Sequence, residues 1–195
     1  MNETKKASGA IYIAPIVYVL GMYLMPVVLW ALGSAKESAD NANRGWVLAL
    51  LIIPIILGLV NLAVVLILGK KISRGQLLIC TRIIKYALIP FYFLGGLCIA
   101  VALLLMFTPV VIMVFVGPAI AILLSAIGWL GLLGAAPFSV AYIVRAYKEG
   151  VHGKALSVFA AIFQFFFTMD VIFVIILAIK DRVYTAVNRQ FETHS

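Results

Sequence analysis

The sequence predicts an all-α, polytopic integral membrane helix bundle, and three observations lead to this fold class. The chain is 65% hydrophobic and only 11% charged, with a mean hydropathy of +1.18, unlike ordinary soluble domains. Residues 86–144 contain no Asp, Glu, Lys, Arg or His. As one helix this stretch would measure about 88 Å, against a hydrocarbon core of about 30 Å, so it must fold back within a bilayer. The other apolar segments are also long enough to span, and short basic segments separate them.

The first two predicted spans cover residues 11–32 and 46–68, with a polar loop between them. Lys5 and Lys6 precede the first span, which at twenty-two residues is longer than a signal-peptide core and indicates a retained anchor. Trp46 begins the second span, where an interfacial aromatic side chain is expected.

The third and fourth predicted spans cover residues 87–107 and 118–144. Before the third span, Arg82 and Lys85 are three residues apart, so on a helix they share a face and are expected to extend toward headgroups from an interfacial segment. Thr108-Pro109 and Gly117-Pro118 are expected to break the apolar run, leaving a short hairpin or re-entrant piece between them.

The fifth predicted span covers residues 155–179 and follows a basic loop at 145–154. The remaining tail, 180–195, is polar and carries apolar residues spaced for one face of a short surface helix. All 195 residues therefore belong to a single membrane domain.

The number of spans is five by this interpretation, with six as the alternative if residues 110–144 held two short spans. Lys and Arg are enriched in cytoplasmic loops, so the basic segments and the N-terminus are expected in the cytoplasm and the protein in the plasma (cytoplasmic) membrane. Either count puts ten of the fifteen basic residues inside. Five is preferred because thirty-five residues barely hold two spans of about seventeen each. Five spans would put the C-terminus outside.

Asp170 is the one ionisable residue well inside a predicted span, about 14 Å from the end of the fifth helix. Such carboxylates usually face a bundle interior or a cavity. No Lys or Arg is expected at its depth, so the sequence predicts a protonated acid or a charge shared with water or a cation. The two interpretations of Asp170 are a proton or cation site and an interhelical hydrogen bond.

Three uncharged polar residues accompany Asp170 as a candidate intramembrane polar site. Gln164 and Thr168 lie four residues apart and share a helix face, and Asn61 in the second span is a plausible partner for either face of the fifth helix. Residues of this kind more often hold helices together than bind a substrate.

Small residues follow one face of the fourth span, and we expect them to allow close helix packing. The residues in question are Ser125, Gly128, Gly131 and Ala135, flanked by Ala121 and Ser139. Gly95-Gly96 in the third span is the expected matching surface, although a second copy of the chain is an alternative partner.

Several kinds of chemistry have no support in the sequence. The chain contains no Gly-rich phosphate loop, HExxH, CxxC or GxSxG motif. Cys80 and Cys98 are interpreted as small buried hydrophobic residues, and His152 and His194 have no neighbouring ligand set. We therefore expect no metal, no cofactor, no nucleic-acid partner and no enzyme activity.

Three functions remain open on this evidence. The first is a non-catalytic subunit or regulator that acts through helix–helix association, with the lipid bilayer and other membrane proteins or a homo-oligomer as partners. The second is a small proton- or cation-coupled transporter or channel with Asp170 as the ion site. The third and weakest is a lipid-modifying enzyme using Arg145, Lys148 and His152.

Overall fold

The computed structural model describes residues 11–34, 40–69, 71–164 and 166–193, and the regular secondary structure in these ranges is helical throughout. This confirms the predicted all-α class. The elements are α1 (Ile13–Ser34), α2 (Asp40–Leu68), α3 (Arg74–Leu104), a 3-10 turn (Leu105–Phe107), α4 (Val111–Lys148), α5 (Lys154–Phe163) and α6 (Phe167–Thr193). The side chain of Trp46, and with it the predicted interfacial position, lies outside the described residues.

Helix α3 begins well before the predicted third span. Ser73 caps it: its hydroxyl accepts a hydrogen bond from the Gln76 backbone N–H at 3.3 Å, and the Gln76 side chain accepts one from the Ser73 N–H at 2.9 Å. This reciprocal arrangement satisfies two N–H groups that a helix start otherwise leaves free. Residues 77–85 therefore belong to the first turns of a 31-residue helix that continues into the predicted third span.

The connection between α3 and α4 is short, and α4 then continues for 38 residues. The Thr108 hydroxyl donates to the Leu105 carbonyl at 2.7 Å and closes the turn before Pro109. The second predicted break, at Gly117-Pro118, is wrong, because both residues lie inside α4. Gly117 packs against the backbone of Ala102 on α3, so a glycine is needed there for close helix approach. No separate re-entrant piece exists between the two sites.

Helices α2 and α4 run parallel and end together. Asn61 on α2 donates to the Gly134 carbonyl on α4 at 3.1 Å, and farther along Arg145 on α4 donates to the Gly69 carbonyl at 3.2 Å. Helix α1 runs in the opposite direction, since Tyr18 and Met22 lie beside Gly134 and Gly131 in that order. Helix α3 also runs in the opposite direction, since Tyr92 lies beside Gly131 and Ala102 beside Gly117. The four long helices thus alternate in direction.

The segment expected to form the fifth span differs from the prediction. It consists of two helices, α5 and α6, separated by residues 164–166. Phe163 at the end of α5 stacks on Phe173 of α6, with ring centroids 4.9 Å apart. The Tyr184 hydroxyl on α6 donates to the Glu149 carbonyl just after α4 at 3.2 Å. The chain therefore enters the bundle along α5, turns, and returns along α6 to the end it came from.

Two ion pairs show that α6 lies antiparallel to α3. Arg74 Nε lies 2.8 Å from Asp181 Oδ1, and Lys85 Nζ lies 2.5 Å from Asp170 Oδ2. Moving eleven residues forward on α3 corresponds to moving eleven residues back on α6. We call the end of the bundle formed by residues 71–74, 145–153 and 181–185 the polar end.

The turn after α4 directs the chain back toward the bundle. Gly150 has a φ of +73°, the left-handed conformation that glycine adopts most easily. The Val151 N–H donates to the Ala146 carbonyl at 2.9 Å and the Gly150 N–H to the Tyr147 carbonyl at 3.1 Å. These paired bonds form a Schellman motif, which ends α4. Helix α5 then begins at Lys154, four residues after Gly150.

The core is a continuous apolar cluster inside the bundle, while the outward surface is also apolar. Tyr18, Met22, Leu88 and Phe138 are fully buried. Long apolar side chains such as Phe93 on α3, at 73% exposure, point away from the bundle. Two helical stretches in the described residues, Arg74–Phe107 and Ile112–Lys148, are long and apolar enough to cross a membrane, and shorter apolar stretches occur in α1, α2 and α5.

Candidate functional site

The central polar feature of the bundle is an ion pair between Lys85 and Asp170. The Lys85 ammonium donates to Asp170 Oδ2 at 2.5 Å, and both side chains have 0% exposure. Lys85 lies eleven residues along α3 from Arg74, which places the pair about 16 Å inside the polar end. A buried pair of this kind is strongly destabilised if one partner is removed, because the other charge is left without compensation.

The prediction that no base lies at the depth of Asp170 is wrong. It treated residues 77–85 as interfacial and expected Lys85 to extend toward headgroups. Since α3 begins at Arg74, Lys85 is instead three turns inside the helix. Its ammonium meets the Asp170 carboxylate because α6 packs beside α3.

The helix break positions the carboxylate. Asp170 lies in the first turn of α6, and its backbone N–H donates to the Phe166 carbonyl at 2.9 Å. The N-terminus of a helix carries partial positive charge, which favours an anionic side chain there. The Asp170 carboxylate is thus stabilised from two directions, by this helix end and by Lys85.

Two polar groups near the break have hydrogen-bonding capacity that the described residues do not use. Gln164, which follows the last residue of α5, is fully buried, and neither its amide oxygen nor its amide nitrogen has a partner among them. The second oxygen of Asp170, Oδ1, also has none there. Buried polar atoms are usually satisfied by protein or ordered water, so such groups require an explanation. The Thr168 side chain lies outside the described residues, and its predicted role stays a prediction.

Asn61 lies apart from this site. It is buried, and its amide donates to the Gly134 carbonyl on α4 instead of to the fifth predicted span. One turn earlier on α2, a Cβ at Gly58 would lie 2.9 Å from the Gly134 Cα, so the two backbones are in direct contact. The Asn61 hydrogen bond therefore belongs to a close helix crossing between α2 and α4.

The predicted small-residue row on α4 is divided between the core and the surface. Gly131 and Ala135 are buried, Gly128 is half-buried and Ser125 is exposed. The Tyr18 hydroxyl on α1 donates to the Gly131 carbonyl at 2.6 Å.

The expected matching surface at Gly95-Gly96 is wrong. Within the part of the chain that the structure describes, no atom would lie within 4 Å of a Cβ added at either glycine. The groups that meet this part of α4 come from three helices. Met22 on α1 and the Tyr92 hydroxyl on α3 lie beside Gly131, while α1 and α2 meet the neighbouring Gly134.

The polar end contains a second ionic network, which the sequence analysis did not identify. Arg74 pairs with Asp181 and with Glu149, each at 2.8 Å, and its guanidinium lies 5.3 Å from the centre of the Tyr184 ring. These residues come from the start of α3, the turn after α4 and the interior of α6, which are far apart in sequence, so spacing alone does not predict the network. The network joins the start of α3 and the end of α4 to the middle of α6.

Two of the residues considered for a lipid-modifying enzyme, Arg145 and His152, make different contacts near the polar end. Arg145 donates to the carbonyls of Gly69 and Ile72 and pairs with Glu149. His152 is buried, with Nε2 3.3 Å from the Tyr142 hydroxyl.

His152 and the two cysteines are the described histidine and cysteine side chains, and His194 lies outside the described residues. Burial lowers the pKa of His152, with a smaller opposing contribution from its hydrogen bond to the Val151 backbone. Cys80 is buried as expected, whereas Cys98 is exposed, and both are free thiols. No group of three potential metal ligands occurs in the described ranges.

A protein-family profile described as a family of unknown function (DUF6652) matches residues 11–183. No curated protein and no solved structure matches the chain significantly. The match runs from the residues before α1 into α6 and includes both Lys85 and Asp170. Because it covers most of the chain, the protein belongs to the DUF6652 family.

Proposed function

We propose that this protein is a multi-pass membrane protein in which α1 to α4 cross the bilayer and α5 and α6 form a re-entrant hairpin. The apolar outward surface of the long helices supports this arrangement, since large exposed apolar surfaces are rare on soluble monomers. Helix α5 has ten residues and a length of about 15 Å, half the hydrocarbon thickness. The proposal replaces both the five-span and the six-span counts.

In this topology the polar end faces the cytoplasm. Of the fifteen Lys and Arg residues, only Lys36 and Arg44 belong to the sequence between the first two spans, and Lys85 is in the buried pair. The other twelve belong to the terminal segments, the connections at the polar end or the adjoining helix turns. Twelve residues on one side is a stronger bias than the ten of either earlier count, and it favours this side as the cytoplasmic one.

The function that we infer is proton-coupled transport with Asp170 and Lys85 as the proton-exchange site. The observation that carries it is the fully buried ion pair at the interruption between α5 and α6. Ionisable residues inside a membrane commonly mark proton or ion pathways. Helices interrupted near the bilayer midplane form the binding sites of many secondary transporters, because their free backbone ends face the substrate.

The chemistry of the pair favours a proton over a metal cation. The Lys85 ammonium already lies where a cation would bind the carboxylate, so a metal ion would have to displace it. A proton binding to Asp170 removes the negative charge and leaves Lys85 without its counter-ion. The contact between α3 and α6 therefore has two electrostatic states, paired and unpaired. The unused hydrogen-bonding groups of Gln164 and of Asp170 Oδ1 supply additional polar positions beside it.

This proposal reverses the order of the sequence-based hypotheses for two physical reasons. Asp170 had been considered a solitary acid, whereas Lys85 supplies a second titratable group in contact with it. The sequence predicted an odd number of spans, whereas the α5–α6 hairpin returns the chain to its starting side and makes the proposed number of crossings even.

The test is proton flux into liposomes that contain the purified protein and a pH-sensitive dye. We expect wild type to dissipate an imposed pH gradient and Asp170→Asn to abolish this flux, since an amide cannot exchange a proton in the same way. Asp181→Asn is the matched control because Asp181 is also paired with a base between α3 and α6, but at the polar end. Equal flux in wild type and Asp170→Asn, or no flux in wild type under any gradient, would contradict the proposal.

The second candidate function is a non-catalytic subunit or regulator that acts through helix association. One observation favours it: the exposed part of the α4 small-residue row borders an apolar groove of about 470 Å³, lined by Ser125, Ala126, Trp129, Leu130 and Leu133. Small residues allow another helix to approach closely. Purification in mild detergent followed by measurement of mass tests this candidate. We expect a stoichiometric partner or a dimer that Trp129→Ala weakens, whereas a monomer under all conditions would count against it.

A further inference from the structure

A groove between α3 and α6, separate from the buried pair, combines two arginines with an apolar wall. It has a volume of about 210 Å³ and is lined by Arg82, Tyr86, Ile175, Ala178, Ile179 and Arg182. The first two residues are on α3 and the others on α6. At one end the groove is lined by Arg182, next to Asp181 of the polar end, and it extends from there along α6 to Ile175.

The two arginines lean toward each other because their helices are antiparallel. Helical side chains tilt toward the N-terminus of their own helix. Arg82 on α3 therefore leans toward the polar end, while Arg182 on α6 leans away from it. Their positions along the bundle differ, and this opposite tilt directs each side chain toward the other, in agreement with both arginines lining the same groove.

Neither arginine has a carboxylate partner in the described ranges. The ion pairs there involve Arg74, Lys85 and Arg145. Arg82 Nε is also buried without a hydrogen-bond acceptor among these residues. Two guanidinium groups that share a groove without an acid, one of them with an unused buried donor, are complementary to an anion.

We propose that this groove binds an anionic phospholipid, with its headgroup phosphate between Arg82 and Arg182. Arginine forms paired hydrogen bonds to phosphate oxygens, and basic pockets between helices on the cytoplasmic side suit anionic headgroups. Ile175 and Ile179 are exposed along the groove and provide an apolar surface for an acyl chain. This apolar wall distinguishes a lipid from a free phosphate ion, which would gain nothing from it.

The proposal depends on the membrane placement inferred above but not on proton transport. A protein that carries no protons can still bind lipid at this groove, and a transporter can lack the lipid site. The absence of lipid binding would therefore contradict only the lipid site, and the absence of proton flux only the transport proposal.

The experiment measures lipid retained by the delipidated, detergent-purified protein, using native mass spectrometry with added phosphatidylglycerol or phosphatidylcholine. We expect phosphatidylglycerol to bind at least tenfold more tightly. Arg82→Gln and Arg182→Gln should each reduce its affinity about tenfold or more, in line with the loss of a charge-assisted hydrogen bond. Lys148→Gln is the matched control, because Lys148 is a basic, exposed residue at the same end that does not line the groove.

Three outcomes would overturn the assignment. They are equal binding of the two lipids, equal loss of affinity in the Lys148→Gln control, and full competition by inorganic phosphate at concentrations that match the lipid. The last outcome would identify the groove as a site for a free anion. Arg182 is exposed, so its variant is expected to fold even if Arg82→Gln does not, and the thermal stability of each variant is measured in parallel.

Discussion

Among single residues, the two ion pairs between α3 and α6 differ in their access to solvent. The side chains of Arg74 and Asp181 are 17% and 13% exposed, whereas those of Lys85 and Asp170 are fully buried. Water can replace a lost partner at the polar end but not at the inner pair. Removing one partner should therefore cost more stability at the Lys85–Asp170 pair than at the Arg74–Asp181 pair.

The inner pair leads to a prediction about stability. Lys85→Met should lower the free energy of unfolding by about 3–5 kcal/mol, because it leaves a buried carboxylate without a counter-charge. The double variant Lys85→Met/Asp170→Asn should recover much of that loss, since neither group is then charged. Thermal unfolding in detergent of the two single variants and the double variant measures this coupling. Additive losses in the double variant would contradict a direct interaction.

His152 leads to a prediction about pH. Burial lowers its pKa below the usual value of 6.5, so the unfolded chain binds the proton more readily than the folded protein. The contribution of His152 to stability is then complete above about pH 6.5 and decreases as the pH falls through that value. His152→Gln should reduce the dependence of the melting temperature on pH between 5 and 7. The other histidine is the control: His194→Gln should leave the wild-type dependence intact, and the same slope in all three proteins would contradict the prediction.

Among the helices, the contacts of α4 depend on which glycines face a neighbour. Gly134 touches Gly58 on α2 through backbone atoms and accepts the Asn61 hydrogen bond next to that contact. Gly95 and Gly96 on α3 face open space in the described part of the protein. The sequence alone does not distinguish the glycines at a helix contact from those that face open space, since all four lie within apolar helices.

Paired glycine substitutions test this distinction. Gly58→Ala should lower the free energy of unfolding by about 1–3 kcal/mol, because its Cβ would lie 2.9 Å from the Gly134 Cα and the backbones would have to separate. Gly95→Ala should be neutral or stabilising by up to about 1 kcal/mol, since alanine favours helix and nothing obstructs the added methyl group. Thermal unfolding of both variants in the same detergent provides the comparison. Equal destabilisation at the two positions would contradict the close α2–α4 crossing.

Over the whole molecule, the α5–α6 hairpin decides where the chain ends. Tyr184 on α6 contacts Glu149 just after α4, so α6 reaches the polar end there and continues for nine residues beyond Tyr184. In the proposed topology α1 to α4 make four crossings, so the N-terminal and C-terminal segments are expected on the same side of the membrane. The earlier five-span interpretation expected them on opposite sides.

Reporter fusions test this topology in cells. A reporter that is active only in the cytoplasm should be active when fused after Ser195 and when fused before Met1. A fusion between Ala35 and Ala39, in the connection between the first two spans, should be inactive and serves as the control. An inactive fusion after Ser195 alongside an active N-terminal fusion would support a single span at 155–179 and contradict the hairpin.

Local sequence signals predicted some helix boundaries and missed others. Gly117-Pro118 has the composition of a break, yet α4 continues through it, because the glycine allows close packing on α3 and helices tolerate proline when neighbours compensate. Residues 163–167 contain neither glycine nor proline and have the composition of a continuous helix, yet the chain turns there. The turn is accompanied by tertiary contacts, namely the stacking of Phe163 on Phe173 and the pairing of Asp170 with Lys85.

The sequence by itself determined that the protein is helical and predominantly apolar, and that Asp170 is an unusual residue in an apolar segment. These properties follow from the composition of each segment and from the spacing of residues within it. Both can be read without knowing which helices pack together. Only the tertiary structure decided that Lys85 faces Asp170, that Asn61 binds α4, and that α6 returns to the polar end. Lys85 and Asp170 are separated by 85 positions in the sequence and meet because one face of α3 packs against one face of α6. Which faces pack together depends on all the contacts in the bundle.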